Sequence, residues 1–115
     1  MATLTTHVLN TAIGIPAAGM RVDLRSLHDP DTATTTHTNA DGRCPAPLLH
    51  GAAFVPGRYT LTFHVAAYFR TLDVDLPDPP FLDEIVIAFG ISDIRRNYHV
   101  PLLVSPWSYA TYRGS

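Results

Sequence analysis

The side chains of this 115-residue chain best suited to chemistry are two imidazoles, His7 and His99, and two guanidinium groups, Arg43 and Arg113. Imidazole titrates near neutrality, so two histidines brought together can share general-base and general-acid work on a bound water. A guanidinium offers a planar fork of donors to an anionic ring or to a developing oxyanion. Each residue has a plainer reading beside this one. His7 and His99 are also what a solvated sheet face carries, and Arg43 also suits a loop side chain that anchors a neighbouring carbonyl. Arg113 suits an ion pair with an acidic neighbour or with the Ser115 carboxylate. The two histidines stand far apart in sequence and gain interest only if assembly brings them together.

The elements that must position these groups are strands. From Leu4 to Asn10, Leu4, Thr6 and Val8 alternate with Thr5, His7 and Leu9, the two-residue period of a strand, with His7 opposite the apolar face. Tyr98, Val100, Leu102 and Val104 likewise take one face, which leaves His99 outward beside Pro101 and suits an edge or an assembly surface. Ser105-Pro106 marks a turn, after which Tyr109 and Thr111 alternate with Ala110 and Tyr112 up to Arg113-Gly114-Ser115. Chains commonly end in frayed residues. A strand pattern that runs to the last residues, with an Arg beside the terminal carboxylate, implies that the end of the chain lies in a site.

Between these runs, Gly14-Ile15-Pro16 reads as a bend, Met20 to Leu27 as a strand, and His28-Asp29-Pro30-Asp31 as a turn. The Thr-rich segment Thr32 to Asn39 reads as a strand near an edge, and Asp41-Gly42 turns the chain just before Arg43. Tyr59, Leu61, Phe63 and Val65 make the clearest core-facing stripe, with a short helix expected over Ala66 to Leu72. A second stripe follows at Ile85, Ile87, Phe89 and Ile91. Ten Pro and seven Gly punctuate short segments, without long helical periodicity. The pattern predicts an all-β, two-sheet β-sandwich of about eight strands with one short helix, as a single domain over residues 1–115.

Composition narrows the function classes. A net charge of −2 gives no reason to expect nucleic acid or an anionic membrane as partner, and no run of about 18 apolar residues suggests a membrane span. The N-terminus lacks the basic and apolar regions of a secretory signal, so a cytoplasmic protein is expected. All eight cationic residues are Arg. The single Cys44 cannot form an internal disulfide and reads as a semi-buried structural thiol. There is no Gly-x-Ser-x-Gly elbow and no His-Glu-x-x-His, and His28, His37, His50 and His64 lack ligand spacing with Cys44. Neither a metal nor a cofactor is expected.

Tyr98-His99-Val100-Pro101-Leu102-Leu103, followed by Tyr112-Arg113-Gly114-Ser115, resembles the signature of the transthyretin-related proteins that hydrolyse 5-hydroxyisourate. Thr6-His7-Val8-Leu9-Asn10 and Asn39-Ala40-Asp41-Gly42-Arg43-Cys44 resemble the family's other two motifs, in the expected order. The resemblance covers essentially the whole chain, and the terminal tetrapeptide is its most specific part. It implies the transthyretin (prealbumin-like) fold, with two four-stranded sheets and a short helix after the fifth strand. A homotetramer whose sites lie in a channel between subunits is implied as well. By the same resemblance, His7, Arg43 and His99 match the catalytic positions, and Tyr112, Arg113, Gly114 and Ser115 the substrate-binding tetrapeptide. The implied reaction opens 5-hydroxyisourate, a small-molecule substrate, to 2-oxo-4-hydroxy-4-carboxy-5-ureidoimidazoline in purine (urate) catabolism. Asn97 departs from the pattern, since many relatives carry a further His there, and Asn does not titrate near neutrality. The alternative is a non-catalytic transthyretin-like carrier that holds a small aromatic ligand in its channel. A sandwich module for adhesion or sugar binding ranks below both.

Overall fold

The computed structural model describes residues 2–114. Ser115, expected in the site, lies outside the described residues. The strands are β1 (Leu4–Thr5), β2 (Val8–Asn10), β3 (Ile15–Pro16), β4 (Arg21–Ser26), β5 (Ala33–His37), β6 (Gly57–Phe63), β7 (Ile85–Ile91), β8 (Tyr98–His99), β9 (Leu102–Val104) and β10 (Tyr109–Thr111). Helix α1 (Val65–Thr71) follows β6, and a single 3-10 turn spans Gly51–Ala53. β1 with β2, and β8 with β9, are halves of the two extended runs read from the sequence. The ten segments therefore make eight strands, with α1 after the fifth. No helix among the described residues is long and apolar enough to cross a membrane.

One sheet is antiparallel, in the order β5-β4-β6-β7; the other runs β10-β9-β2-β3. β2 and β9 pair in parallel, and the short parallel pair β1–β8 extends the same two runs, with Leu4 opposite Tyr98 and Thr5 opposite His99. Backbone bonds continue between the halves, from Val100 N–H to the Thr5 carbonyl (3.0 Å) and from Leu102 N–H to the His7 carbonyl (2.9 Å). Pro101 has no N–H to give, and the Thr6 hydroxyl occupies the Val100 carbonyl at 2.6 Å, so regular pairing lapses there. This ladder, joining residues 94 apart in sequence, is what carries His7 and His99.

The facing sides of the sheets close over Leu4, Val8, Val22, Leu24, Tyr59, Leu61, Phe63, Leu102 and Val104, all fully buried. Each such side chain contributes roughly 1.5–3 kcal/mol relative to exposure. The His7 run alternates as its pattern requires, with Leu4, Thr6 and Val8 inside and Thr5, His7 and Leu9 half-buried outside; the His99 run does so except at Pro101, which is buried between Val100 and Leu102. The short helix docks through Val65, Ala66, Tyr68 and Phe69. It begins one residue before the expected start, so Val65 is buried as a helical residue and not as the end of the strand. Ile15 and Pro16, read as a bend, form edge strand β3 against Leu9 and Asn10, where a Pro without N–H is tolerated.

Asp23 falls on the outward side of β4 and is nevertheless almost buried. It accepts bonds from the Thr35 hydroxyl (2.8 Å) and Arg21 Nε (3.1 Å), and it pairs with His64 Nε2 at 2.8 Å. Burial works to raise its carboxyl pKa, but the bonds from His64, Thr35 and Arg21 outweigh it and hold the group down at about 2. The cluster braces the start of α1 against β4, on a part of the molecule away from His7 and His99.

Candidate active site

Asn39 to Arg43 form a loop tied to the His7 strand. The Asn39 side-chain oxygen accepts the N–H groups of Asp41 (2.9 Å) and Arg43 (3.1 Å), which closes a tight turn. Gly42 sits at φ +76°, and its carbonyl takes the Val8 N–H at 2.8 Å. A Cβ on Gly42 would stand 2.4 Å from the Val8 carbonyl oxygen, a backbone atom that has nowhere to go. Only glycine lets the loop approach so closely, and that approach pairs Arg43 with His7 across an antiparallel bridge. Residues paired in this way share a face.

Gly42→Ala is therefore expected to destabilise the protein by about 1–3 kcal/mol and to draw Arg43 away from His7. Gly19→Ala is the control, since Gly19 has the same φ of +76° with nothing within 4 Å of its Cβ position. Urea unfolding midpoints decide the matter: equal losses in the two variants would mean that the contact with Val8 is not what the loop needs.

His7 Nε2 lies 2.9 Å from the Asp41 carbonyl oxygen. A carbonyl only accepts, so Nε2 carries the proton and the neutral ring presents Nδ1 as its lone pair. His99 is held from two sides. Its Nδ1 lies 2.8 Å from the Thr5 hydroxyl, its partner across the parallel pair. Its carbonyl accepts the Gly114 N–H at 2.7 Å, and Gly114 lies so close that a Cβ there would meet His99 Cδ2 at 2.8 Å. Partial burial of the ring, and then the nearby charges of Arg43 and His7, lower the His99 pKa below the usual 6.5; a bond to the Thr5 backbone acts in the opposite sense. His99 thus stays neutral at pH values where an exposed imidazole is already charged. The Arg43 side chain is exposed and forms no ion pair among the described residues, which leaves its donor fork for a ligand.

The structure thus gathers His7, Arg43, His99 and Gly114 on the outer face of one ladder. It does not bring Tyr112 and Arg113 of the same chain to them. The Arg113 guanidinium stacks over the Tyr98 ring at 4.4 Å and reaches the Asn97 carbonyl at 3.4 Å, with no acidic partner among the described residues. Tyr112 is exposed and, with Arg113, Tyr98, Val100 and Phe89, borders an apolar hollow of about 260 Å³. Asn97 accepts the Thr3 N–H at 2.9 Å, a structural bond at the position that departs from the family pattern. Cys44 is half-buried and burial pushes its thiol up to about 11, as suits a structural thiol. Among the described residues no cluster of three or more His, Cys, Asp or Glu is arranged to hold a metal ion.

Two features of the site escaped the sequence reading. The Asp41 carbonyl that orients His7 has no side-chain signal at all. Thr5, the partner of His99, did have one, since strand alternation already put it on the same face as His7.

Comparison with known proteins identifies the family. The chain is 53% identical to 5-hydroxyisourate hydrolase 2 of Rhizobium meliloti (strain 1021), over 97% of this chain and 95% of that protein. The crystal structure of (S)-allantoin synthase superposes with a TM-score of 0.93 at 45% identity, covering 99% of this chain and 44% of that one. Klebsiella pneumoniae 5-hydroxyisourate hydrolase superposes with a TM-score of 0.81 at 33% identity, over 100% of this chain and 94% of that one. The model of the HIUase/Transthyretin family matches residues 4–114, and this chain belongs to that family.

Proposed function

We propose that this protein hydrolyses 5-hydroxyisourate to 2-oxo-4-hydroxy-4-carboxy-5-ureidoimidazoline. The observation that carries the reading is the convergence of His7, Arg43 and His99 on one outward face, in a chain whose near full-length relatives are hydrolases of this substrate. A water molecule gives a proton to one imidazole as its oxygen attacks a ring carbonyl carbon. The bond between that carbon and its ring nitrogen then breaks, and the nitrogen takes a proton from an imidazolium. Arg43 offsets the negative charge on the attacked oxygen. Among Tyr112, Arg113, Gly114 and Ser115, Gly114 keeps the chain end against His99, while Tyr112 and Arg113 contribute from a neighbouring subunit.

That last assignment rests on a homotetramer with sites between subunits. β7 and β10 end their sheets, so each has an unpaired edge, and Val86, Tyr109 and Tyr112 are exposed on or beside them. Such edges are ready-made for a second copy of the chain. A carrier without chemistry is not favoured, because it needs neither the paired imidazoles nor the free Arg43.

The test generates 5-hydroxyisourate in place with a urate oxidase and follows its ultraviolet decay with and without the protein. Decay well above the spontaneous rate is expected. A folded protein that leaves the spontaneous rate unchanged would overturn the reading.

A further inference from the structure

We propose that Thr5 is the positioning residue for His99: its hydroxyl holds Nδ1 of the ring and thereby makes Nε2 the nitrogen that exchanges the proton during hydrolysis. The inference rests on the hydrolase reading and adds to it a residue and an atom.

Three observations converge. The Thr5 hydroxyl oxygen is 2.8 Å from His99 Nδ1 and is engaged with no other side chain among the described residues. The two residues are direct partners in the parallel β1–β8 pair, so their Cα positions are set by the ladder and not by a mobile loop. On the other edge of the ring, the glycine at position 114 leaves no room for a side chain beside Cδ2. With Nδ1 occupied and Cδ2 covered, Nε2 is the ring nitrogen without a partner among the described residues.

A hydroxyl suits this task because its oxygen accepts and its own proton is free to turn away from the ring. While His99 is neutral, Nδ1–H donates to the Thr5 oxygen and Nε2 keeps the lone pair that takes the proton from water. Once the ring is an imidazolium, Nδ1–H still donates to the Thr5 oxygen and Nε2–H is the proton that goes to the leaving nitrogen. The Thr5 bond is therefore the same in both halves of the exchange, and the ring itself does not move. A methyl group in its place would leave Nδ1–H with the Thr5 backbone alone, in a half-buried setting where the cation is already disfavoured. The groups that face His99 are His7 from the paired run and Arg43 from the Asn39–Arg43 loop; both oppose its protonation. The Arg113 charge acts on Tyr98 on the other face of the strand. The Thr5 oxygen thus supplies the acceptor that these neighbours lack.

The decisive comparison is of the wild-type protein with Thr5→Val, which keeps shape and β-branching, and Thr5→Ser, which keeps the hydroxyl. For Thr5→Val, kcat should fall by about 10–100-fold, the usual loss when the orienting partner of a functional His is removed, with KM changed by less than about threefold. The limb of the pH–rate profile that belongs to His99 should move to lower pH. Thr5→Ser should restore kcat to within about threefold of wild type. In parallel, the 15N shifts of the His99 ring are followed through a pH titration in all three proteins. Thr5→Val should change the Nδ1 shift and lower the midpoint. A Thr5→Val protein with wild-type kcat and an unchanged His99 titration would overturn the proposal. So would a Thr5→Ser protein as impaired as Thr5→Val, because bulk and not the hydroxyl would then be what matters. If the wild-type protein fails to hydrolyse 5-hydroxyisourate, the hydrolase reading falls. The ring titration then still decides by itself whether Thr5 holds Nδ1.

Discussion

His99→Asn is expected to lower kcat for 5-hydroxyisourate by about 10²–10⁴-fold, the range that a positioned acid–base group supplies. Asn retains a polar group that can bond the Thr5 hydroxyl, but it does not exchange a proton near neutrality. The fold should survive, because His99 projects from the outer face and the core beneath it is made by Tyr98, Val100 and Leu102. The pH profile gives a second reading of the same event. Burial and the charges of Arg43 and His7 lower the His99 pKa, so its limb in the wild-type protein should lie below the ordinary imidazole value of 6.5. That limb should be missing from the variant. Initial rates from ultraviolet decay, with size-exclusion chromatography to check assembly, decide the outcome. Near-normal turnover in a correctly assembled variant would remove His99 from the mechanism.

Removing Tyr112 to Ser115 is the second change from which a large effect is expected. Among the described residues of this segment, Tyr112 and Arg113 are exposed and Gly114 is half-buried, so its loss takes nothing from the core. What goes is the N–H that Gly114 donates to the His99 carbonyl and the glycine backbone that covers the ring edge. His99 then has Thr5 alone to orient it. A displacement of about 1 Å in a reacting group costs on the order of 10²-fold, and that is the smallest loss expected here. Gly114→Val tests the same contact with the chain end in place, because its Cβ would stand 2.8 Å from His99 Cδ2. Circular dichroism should show the sandwich intact in both proteins. Full activity in the shortened chain would mean that the terminal tetrapeptide is no part of the site.

The fold was legible wherever a two-residue period met one buried face. Leu4 to Asn10 and Arg58 to Phe63 were read with the right faces, as was Tyr98 to Val104 apart from the buried Pro101, because one wet and one dry side impose alternation. Ile15 and Pro16 were misread as a bend, since a two-residue edge strand is too short to show a period. The near-burial of Asp23 was not legible, since it depends on His64, Thr35 and Arg21 arriving from three other positions in the chain. The start of α1 was missed by one residue because Val65 continues the apolar stripe of β6 while already being helical.

The site divides along the same line. Residue types, strand alternation and the three motifs were enough to single out His7, Arg43 and His99 and to set both imidazoles outside their own core. Alternation names a face and does not name the strand that will lie beside it. Only the tertiary structure decided that Thr5 meets His99 across 94 residues, and that Arg43 meets His7 because Gly42 lies against Val8. It also turned the Tyr112 and Arg113 side chains toward the Tyr98 face, away from the histidines of their own chain. These are questions of which distant backbones pair and how closely they approach, and hydrogen bonding between remote segments answers them where local pattern does not.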